Sequence, residues 1–308
     1  MANEVSVIVC TFNRSKLLKR LLEALSIQTA STDLFETIVM DDGSTDNTSE
    51  ICEGMKAVLF NLKYLRHEHN MGLSEAGNHA IEAASGKYLL FTDDDCIPDS
   101  EWVEKMHERL KNNAIVAGAI RSWEQNYFKL CHNIAQFYPF MNGQKSEFLD
   151  FIAGANMGIR REVIDAVGNF SKSTIIPDME FILRARRNGF KIAYAKDAII
   201  THDPLRVTFK DVWNYSSLHA AHTILLRHQY TDVLKTPKLM NWVPVIILGA
   251  PLIALLTTFR IYFGNVQLLK KYPHTLSVVY LIKIGWCWGA ARGLFLNRKA
   301  KGQKQGKH

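Results

Sequence analysis

No acidic residue follows Asp232 in this chain of 308 residues, although 12 of its 37 lysines and arginines lie beyond that point. The first 232 residues therefore hold 25 basic residues against all 30 acids. The formal charge of +7 combines a mildly acidic body with a strongly basic C-terminal region. That balance argues against a basic face tracking phosphates along the body, and no nucleic-acid partner is expected. Cysteine is scarce too: Cys10, Cys52, Cys96, Cys131 and Cys287 are widely spaced, with no Cys-x-x-Cys pair. Such spacing excludes the usual zinc patterns and a disulfide scaffold, and fits a reducing compartment. The opening MANEVSVIVCTFNR lacks the basic-then-apolar order of a secretory signal, so the acidic body is expected to stay in the cytoplasm. No internal repeat is evident at periods of about 20–50 residues. Disorder is excluded by 47% hydrophobic and 22% charged residues.

What is present is an alternation. Val5 to Cys10 is a short apolar run of strand type, and Leu17, Leu18, Leu21, Leu22 and Leu25 then recur at helical spacing. Thr37–Met40 is a second apolar run, closed by the turn-forming Asp41-Asp42-Gly43-Ser44. Asn78–Ala84 has a helical pattern, Lys87–Thr92 reads as a third strand, and Trp102–Leu110 is helical again, with Asp99 or Ser100 as its N-cap. This rhythm predicts an α/β fold with a mainly parallel sheet sandwiched by helices. Ligands of such sheets bind beyond the carboxyl ends of the strands. Polar clusters fall at those ends: Thr11–Arg14, Asp41–Asp46 and Asp93–Asp95.

The C-terminal region is built differently. Trp242–Phe259 is 18 residues without a charge, or about 27 Å of helix at ~1.5 Å per residue, close to the ~30 Å of a bilayer's hydrocarbon. Pro244, Gly249 and Pro251 would damage a soluble helix but are tolerated in lipid. Leu276–Leu296 is a second apolar stretch, interrupted by Lys283 and Arg292. A membrane-associated helical hairpin is expected over 241–297, with a basic disordered tail at 298–308. Lys235, Lys238 and the cations from Arg298 onward would share one side, and only Arg260, Lys270 and Lys271 the other. The positive-inside rule then faces the acidic body to the cytoplasm. The aromatic-rich segment Trp123–Met141 reads as core, or else as a lid or membrane contact, and 206–240 as a connecting, interfacial helical region.

Asp93, Asp94 and Asp95 repel one another at a strand end, which favours a cation among them. Oxygen ligands of this kind suit Mg²⁺ or Mn²⁺. Phe12 can stack on a nucleobase while an acid such as Asp42 accepts a ring N–H; otherwise Phe12 is core and the Asp pair an ordinary turn. Pro177-Asp178-Met179-Glu180 opens a helical pattern, where an acid is either a favourable dipole contact or a general base aimed into a cleft.

VSVIVCTFNR, IVMDDGSTDNT, HNMGLSEAGNHAIEAASGKYLLFTDDDCIP, GANMGIRREVIDAVGNF, PDMEFILRARRNGFKIAY and a late THD occur in one order. Over about residues 4–205 the chain resembles the family 2 glycosyltransferases, inverting enzymes of the GT-A nucleotide-diphospho-sugar fold. The resemblance implies a catalytic domain over 1–205. Thr11, Phe12 and Arg14 would lie around the nucleotide, with Asp42 at the base edge and Asp93 and Asp94 on the nucleotide side. Asp93 and Asp95 match the family's D-x-D, Asp95 being the metal ligand, and His202 matches a late histidine near the metal or phosphates. Asp178 matches the general base, with Glu180 as fallback, and Gly154, Ala155 and Asn156 would line the acceptor side. Cys10 stands where the family usually has Pro, Gly77 where it has Arg, and Pro177 where it has the first acid of Glu-Asp. No Gln-x-x-Arg-Trp follows Asp178, which argues against a processive polymerase. The expectation is transfer of a single sugar from a nucleotide-diphospho-sugar to a lipid-linked or envelope-glycan acceptor at a membrane. Transfer to a polyprenyl phosphate, or a non-catalytic nucleotide-sugar-binding protein, are the alternatives.

Overall fold

In the computed structural model, which describes residues 3–141 and 146–305, the chain forms two compact units. The first unit is Met1–Arg121 with Pro139–Asp203; the second is Ser122–Tyr138 with Pro204–His308. The first opens with β1 (Val5–Thr11), α1 (Ser15–Ser26), β2 (Phe35–Asp41), α2 (Thr48–Met55), β3 (Leu62–Arg66), α3 (Leu73–Ala83) and β4 (Tyr88–Thr92). β5 (Cys96–Pro98), α4 (Trp102–Leu110) and β6 (Ile115–Ser122) follow. The chain then gives α5 (Tyr127–Phe137) to the second unit and returns with β7 (Phe148–Leu149), β8 (Asn156–Arg160), α6 (Arg161–Val167), α7 (Pro177–Arg187) and β9 (Ile192–His202).

Among the described residues, nine strands form one mixed sheet in the order β3-β2-β1-β4-β8-β6-β9-β5, with β7 paired to β9. The first four are parallel, as the alternation predicts, and the direction reverses where β8 joins β4. β1 and β2 are almost wholly buried because they lie between helical layers. Leu18, Leu21, Leu22 and Leu25 form the inward stripe of α1, and each fully buried Leu contributes about 1.5–3 kcal/mol. β3 was not foreseen: LKYLR is half exposed at the sheet edge and carries two cations. The cap expected before α4 is absent; Glu101 occupies that position without a side-chain capping bond, and the Trp102 N–H donates to the Asp99 carbonyl.

Register sets the site. Thr11 lies beside Asp41, Thr92 opposite Asn156, and Cys96 opposite His202. Three pairings thus bring loop residues far apart in sequence to one end of the sheet.

The second unit contains α8 (Phe209–Gln229), α9 (Val243–Gly264), α10 (Val266–Lys271) and α11 (Leu276–Gln305) beside α5. Thr208 and Asp211 form a capping box at the start of α8. Gly285, Gly289 and Gly293 of α11 meet Trp213, Ser217 and Ala221 of α8, and a Cβ on Gly289 would lie 1.9 Å from the Ser217 carbonyl oxygen. Only glycine lets the two backbones approach so closely, as in membrane helix pairs. The Ser216 and Ser217 hydroxyls donate to the Ile282 and Gly285 carbonyls at 3.1 and 2.9 Å. α9 packs on α11 through Ile246 and Ala250 against Cys287, Ala290, Ala291 and Leu294. Its other side leaves Leu248, Leu252, Leu255, Leu256, Phe259 and Phe263 exposed.

Among the described residues α9 is the one helix long and apolar enough to cross a bilayer. The second apolar stretch, in α11, does not reach that standard; Lys283 and Arg292 interrupt it. α11 also continues to Gln305, so the tail expected to be disordered from Arg298 is helical that far, and residues 306–308 lie outside the described part. Ser122–Tyr138, placed by the sequence within 1–205, belongs to the second unit, where α5 packs with α8 and α11.

Candidate active site

The loop after β1 is shaped by Asn13, whose φ of 53° is left-handed, a conformation Asn tolerates better than most residues. Its backbone N–H donates to Ser44 Oγ at 2.8 Å, and its side-chain oxygen accepts the Thr45 N–H at 2.7 Å. Asp46 accepts the Ser15 N–H at 3.0 Å and the Thr48 hydroxyl at 2.5 Å. These bonds lock the loops after β1 and β2 together and leave the Phe12 ring 41% exposed between them. Phe12 is therefore not core.

Asp41 and Asp42 differ in what they hold. Asp41 accepts the Ser44 N–H at 2.8 Å and the Tyr64 hydroxyl at 2.6 Å. Asp42 accepts the N–H groups of Met71 and Gly72, each at 2.8 Å, and faces His67 Nδ1 at 2.7 Å. Both carboxylates are buried, and each closes a turn.

The three aspartates after β4 separate in the same way. Asp94 is buried and accepts from the Thr11 hydroxyl at 2.8 Å and from Arg14 Nη1 at 2.9 Å. Burial pushes its carboxyl up to about 6 against the pull of Arg14. Asp93 is open to solvent, yet protein rises around it. That desolvation, then the charges of Asp95, Asp94 and Asp178, pushes its carboxyl above the ordinary carboxylate range. A positive ion between these acids would relieve the repulsion.

Asp95 Oδ1 lies 3.5 Å from His202 Nε2, a meeting produced by the β5–β9 pairing. Cys96 Sγ lies 3.9 Å from the same oxygen, and the three donor atoms fall within 4.8 Å of one another. An oxygen and an imidazole nitrogen so spaced can both reach one divalent ion at bonds of about 2.1 Å. Burial, then the charges of Asp95 and Asp93, raises the Cys96 thiol well above its ordinary range, which leaves Asp95 and His202 as the better ligands. Sequence reasoning missed Cys96, and it missed Asp203. The Asp203 N–H donates to the Asp95 carbonyl at 2.8 Å, and its carboxylate takes Arg20 Nη1 at 2.7 Å. Its one sequence signal was its place next to His202.

Near Asp93, Asp178 is half-buried in the first turn of α7 and accepts the Gly154 N–H at 3.1 Å. A Cβ on Gly154 would lie 2.8 Å from that same oxygen, so the close approach requires glycine. Ala155 is buried beside it. Glu180, the fallback base, is buried and takes Arg184 Nε on both oxygens at 2.9 Å. Asn156 corrects an expectation. Its side chain turns into the sheet, accepting from Trp102 Nε1 at 2.8 Å and donating to the Ala119 and Ala198 carbonyls at 2.9 and 3.0 Å. It cannot also reach an acceptor sugar. The structure thus joins Thr11, Arg14, Asp94, Asp95 and His202 in one network, with Asp178 close enough to add to the cost of a charge on Asp93.

Residues 6–168 match the family Glycosyl transferase family 2, and residues 89–288 match Glycosyl transferase family group 2. The chain is 29% identical over 204 residues to glycosyltransferase AglE of Haloferax volcanii, covering 64% of this chain and 66% of that protein. It is 25% identical over 291 residues to glycosyltransferase GlyG of Streptococcus pneumoniae, covering 90% of each. Its fold matches the mannosyltransferase PcManGT from Pyrobaculum calidifontis, solved in complex with GDP-Man and Mn²⁺, with a TM-score of 0.67 at 17% identity over 94% of this chain and 87% of that one. Residues 1–349 of S. aureus TarS in complex with UDP-GlcNAc match with a TM-score of 0.55 at 18% identity, over 94% and 91%.

Proposed function

The chain belongs to glycosyl transferase family 2, and on that premise we propose that it moves one sugar, with inversion, from a nucleotide-diphospho-sugar to a lipid-linked or cell-envelope glycan acceptor. The observation that carries this reading is Asp178, held by the Gly154 N–H beside the aspartates that follow β4. Asp178 removes the proton of the incoming hydroxyl as its oxygen bonds to the anomeric carbon. The bond to the diphosphate breaks on the opposite face, and the nucleoside diphosphate leaves with the electron pair. One displacement inverts the carbon, and no second nucleophilic carboxylate is needed.

Phe12 supplies an exposed ring for the base, and Thr11 and Arg14 orient Asp94 on the nucleotide side. Asp95 and His202 would hold Mn²⁺ or Mg²⁺, which when bound neutralises charge on the departing diphosphate. Donor complexes of two proteins with this fold, with GDP-Man and UDP-GlcNAc, support a nucleotide-sugar donor. The exposed apolar side of α9 supports membrane association, and the excess of cations around Lys235, Lys238 and Arg298 supports a cytoplasmic catalytic side.

The test is sugar transfer or donor hydrolysis with Mn²⁺ across a panel of nucleotide sugars. Asp178→Asn should lower turnover by about 10²–10⁴, and full activity in that variant would sink the assignment of the base. An unimpaired Asp178→Asn beside an inactive Asp95→Asn would instead mark an acceptor already ionised, such as a polyprenyl phosphate.

A further inference from the structure

The reading of Asp42 as the acid at the base edge leaves open what keeps that carboxylate in place. His67 presents Nδ1 to Asp42 Oδ1 at 2.7 Å and Nε2 to His79 Nδ1 at 2.6 Å. The two rings meet edge to face, centroids 4.8 Å apart. The nitrogens of one imidazole diverge, so this chain of three groups cannot converge on a metal ion; it can only pass hydrogen bonds along a line. Two ring nitrogens at 2.6 Å must share one proton, because two lone pairs or two N–H groups would repel. Asp42 accepts at Oδ1, so His67 carries its proton on Nδ1, and in the neutral chain His79 Nδ1–H donates to His67 Nε2. Each ring is thereby held in one tautomer.

Both histidines are themselves anchored. The His67 N–H donates to the Asp41 carbonyl at 2.9 Å, directly after β3 ends. His79 follows Asn78, whose side chain donates to the Phe170 carbonyl at 3.0 Å and accepts the Phe170 N–H at 2.9 Å. Among the described residues Asp42 Oδ1 therefore has two donors, His67 Nδ1 and the Met71 N–H, while Oδ2 has one, the Gly72 N–H. Of the four lone-pair sites of a carboxylate, one remains, on Oδ2.

We propose that His67 and His79 are positioning residues for nucleobase recognition: they fix the Asp42 carboxylate so that its remaining lone pair meets an N–H of the donor's base. The proposal rests on the base-edge reading of Asp42, and the test separates the two. Titrate the 308-residue chain with UDP, GDP and inorganic pyrophosphate in the presence of Mn²⁺, for wild type, Asp42→Ala, His67→Gln, His67→Asn and His79→Ala. Glutamine places its amide nitrogen near the Nε2 position and loses the bond to Asp42, whereas asparagine mimics Nδ1 and keeps it. His67→Gln and Asp42→Ala should each weaken the preferred nucleoside diphosphate by about tenfold or more and leave pyrophosphate within about twofold. His67→Asn should recover most of the loss, and His79→Ala should fall between His67→Gln and wild type. With donor sugar, His67→Gln should raise KM at unchanged kcat.

If Asp42→Ala weakens the nucleotide but His67→Gln does not, the histidines have no such role and the Asp42 reading stands. If Asp42→Ala binds like wild type, the base-edge reading fails and the proposal fails with it. Equal weakening of pyrophosphate in His67→Gln, or no recovery in a folded His67→Asn, would show general loosening of the site and overturn it. Should His67→Gln not fold, the same comparison of nucleotide with pyrophosphate in His79→Ala decides.

Discussion

Asp178 and Glu180 lie two residues apart in the first turn of α7, and their surroundings give them different chemistry. Asp178 has one backbone donor and remains half open, while Glu180 is buried and gripped by Arg184, which also reaches the carbonyls of Val167 and Asn169. Glu180→Gln should therefore keep kcat near wild type while lowering stability by about 1–3 kcal/mol, the usual cost of losing a charge-assisted bond to a buried acid. Turnover and the thermal midpoint, measured side by side, separate it from Asp178→Asn; a collapse of kcat at unchanged stability would reverse the two roles. His202→Ala should weaken Mn²⁺ binding by about tenfold or more, read from the free Mn²⁺ signal in electron paramagnetic resonance, because one of the two residues proposed to hold the ion is gone. The candidate residues at strand ends were legible because the order of motifs and the apolar runs locate them together. Asn156 was not, because whether a side chain faces cleft or core depends on strand register, here Thr92 opposite Asn156. Cys96 and Asp203 were hidden for a related reason: their neighbours are supplied by pairing across β5 and β9.

At the scale of elements, the sheet has a clasp at the end away from these loops. Glu36, buried on β2, accepts from the Ser6 hydroxyl at 2.6 Å and from the Ser85 N–H and hydroxyl at 2.7 Å, and pairs with Lys63 of β3 at 2.6 Å. One carboxylate thus ties β1, β2, β3 and the approach to β4. Burial alone would raise its carboxyl, but the hydrogen bond to Lys63, then those from Ser6 and Ser85, hold it at about 2, below the ordinary 4.5. A carboxyl depressed on folding stabilises the folded state above its unfolded pKa, and that contribution is lost as pH falls through its folded value. The shift corresponds to about 3 kcal/mol. Glu36→Gln should be less stable by about that amount at pH 7, with the gap closing between about pH 4.5 and 2. Hydrogen exchange of the β1 and β2 amides across pH would read it, and a pH-independent gap would contradict the charge as the cause. β3, a partner in this clasp, escaped sequence reading because a five-residue edge strand with two cations has no buried run. In the second unit, Gly289→Ala should part α8 from α11 and lower the thermal midpoint, since the added methyl would meet the Ser217 carbonyl.

For the whole molecule, the asymmetry of charge and the exposed side of α9 address the same question, whether the chain sits in lipid. α9 has 22 residues, about 33 Å of helix at ~1.5 Å per residue, enough for a bilayer's hydrocarbon. Its inward stripe of Ile246, Ala250, Ala254 and Thr258 is buried within the second unit, and its outward leucines and phenylalanines are not. An exposed leucine can be replaced without opening a cavity, so a double change of Leu252 and Leu256 to Arg tests the surroundings of α9 and not its packing. In water the substitution would cost almost nothing. In hydrocarbon each arginine costs about 2.5–3.5 kcal/mol, enough together to expel the helix or prevent its insertion. Wild type should remain with membranes through carbonate and high salt, and Leu252→Arg/Leu256→Arg should move to the soluble or aggregated fraction, with the first unit still binding nucleotide. Release of the wild type by salt alone would assign the attachment to the twelve cations beyond Asp232 acting on anionic headgroups, with α9 outside the hydrocarbon.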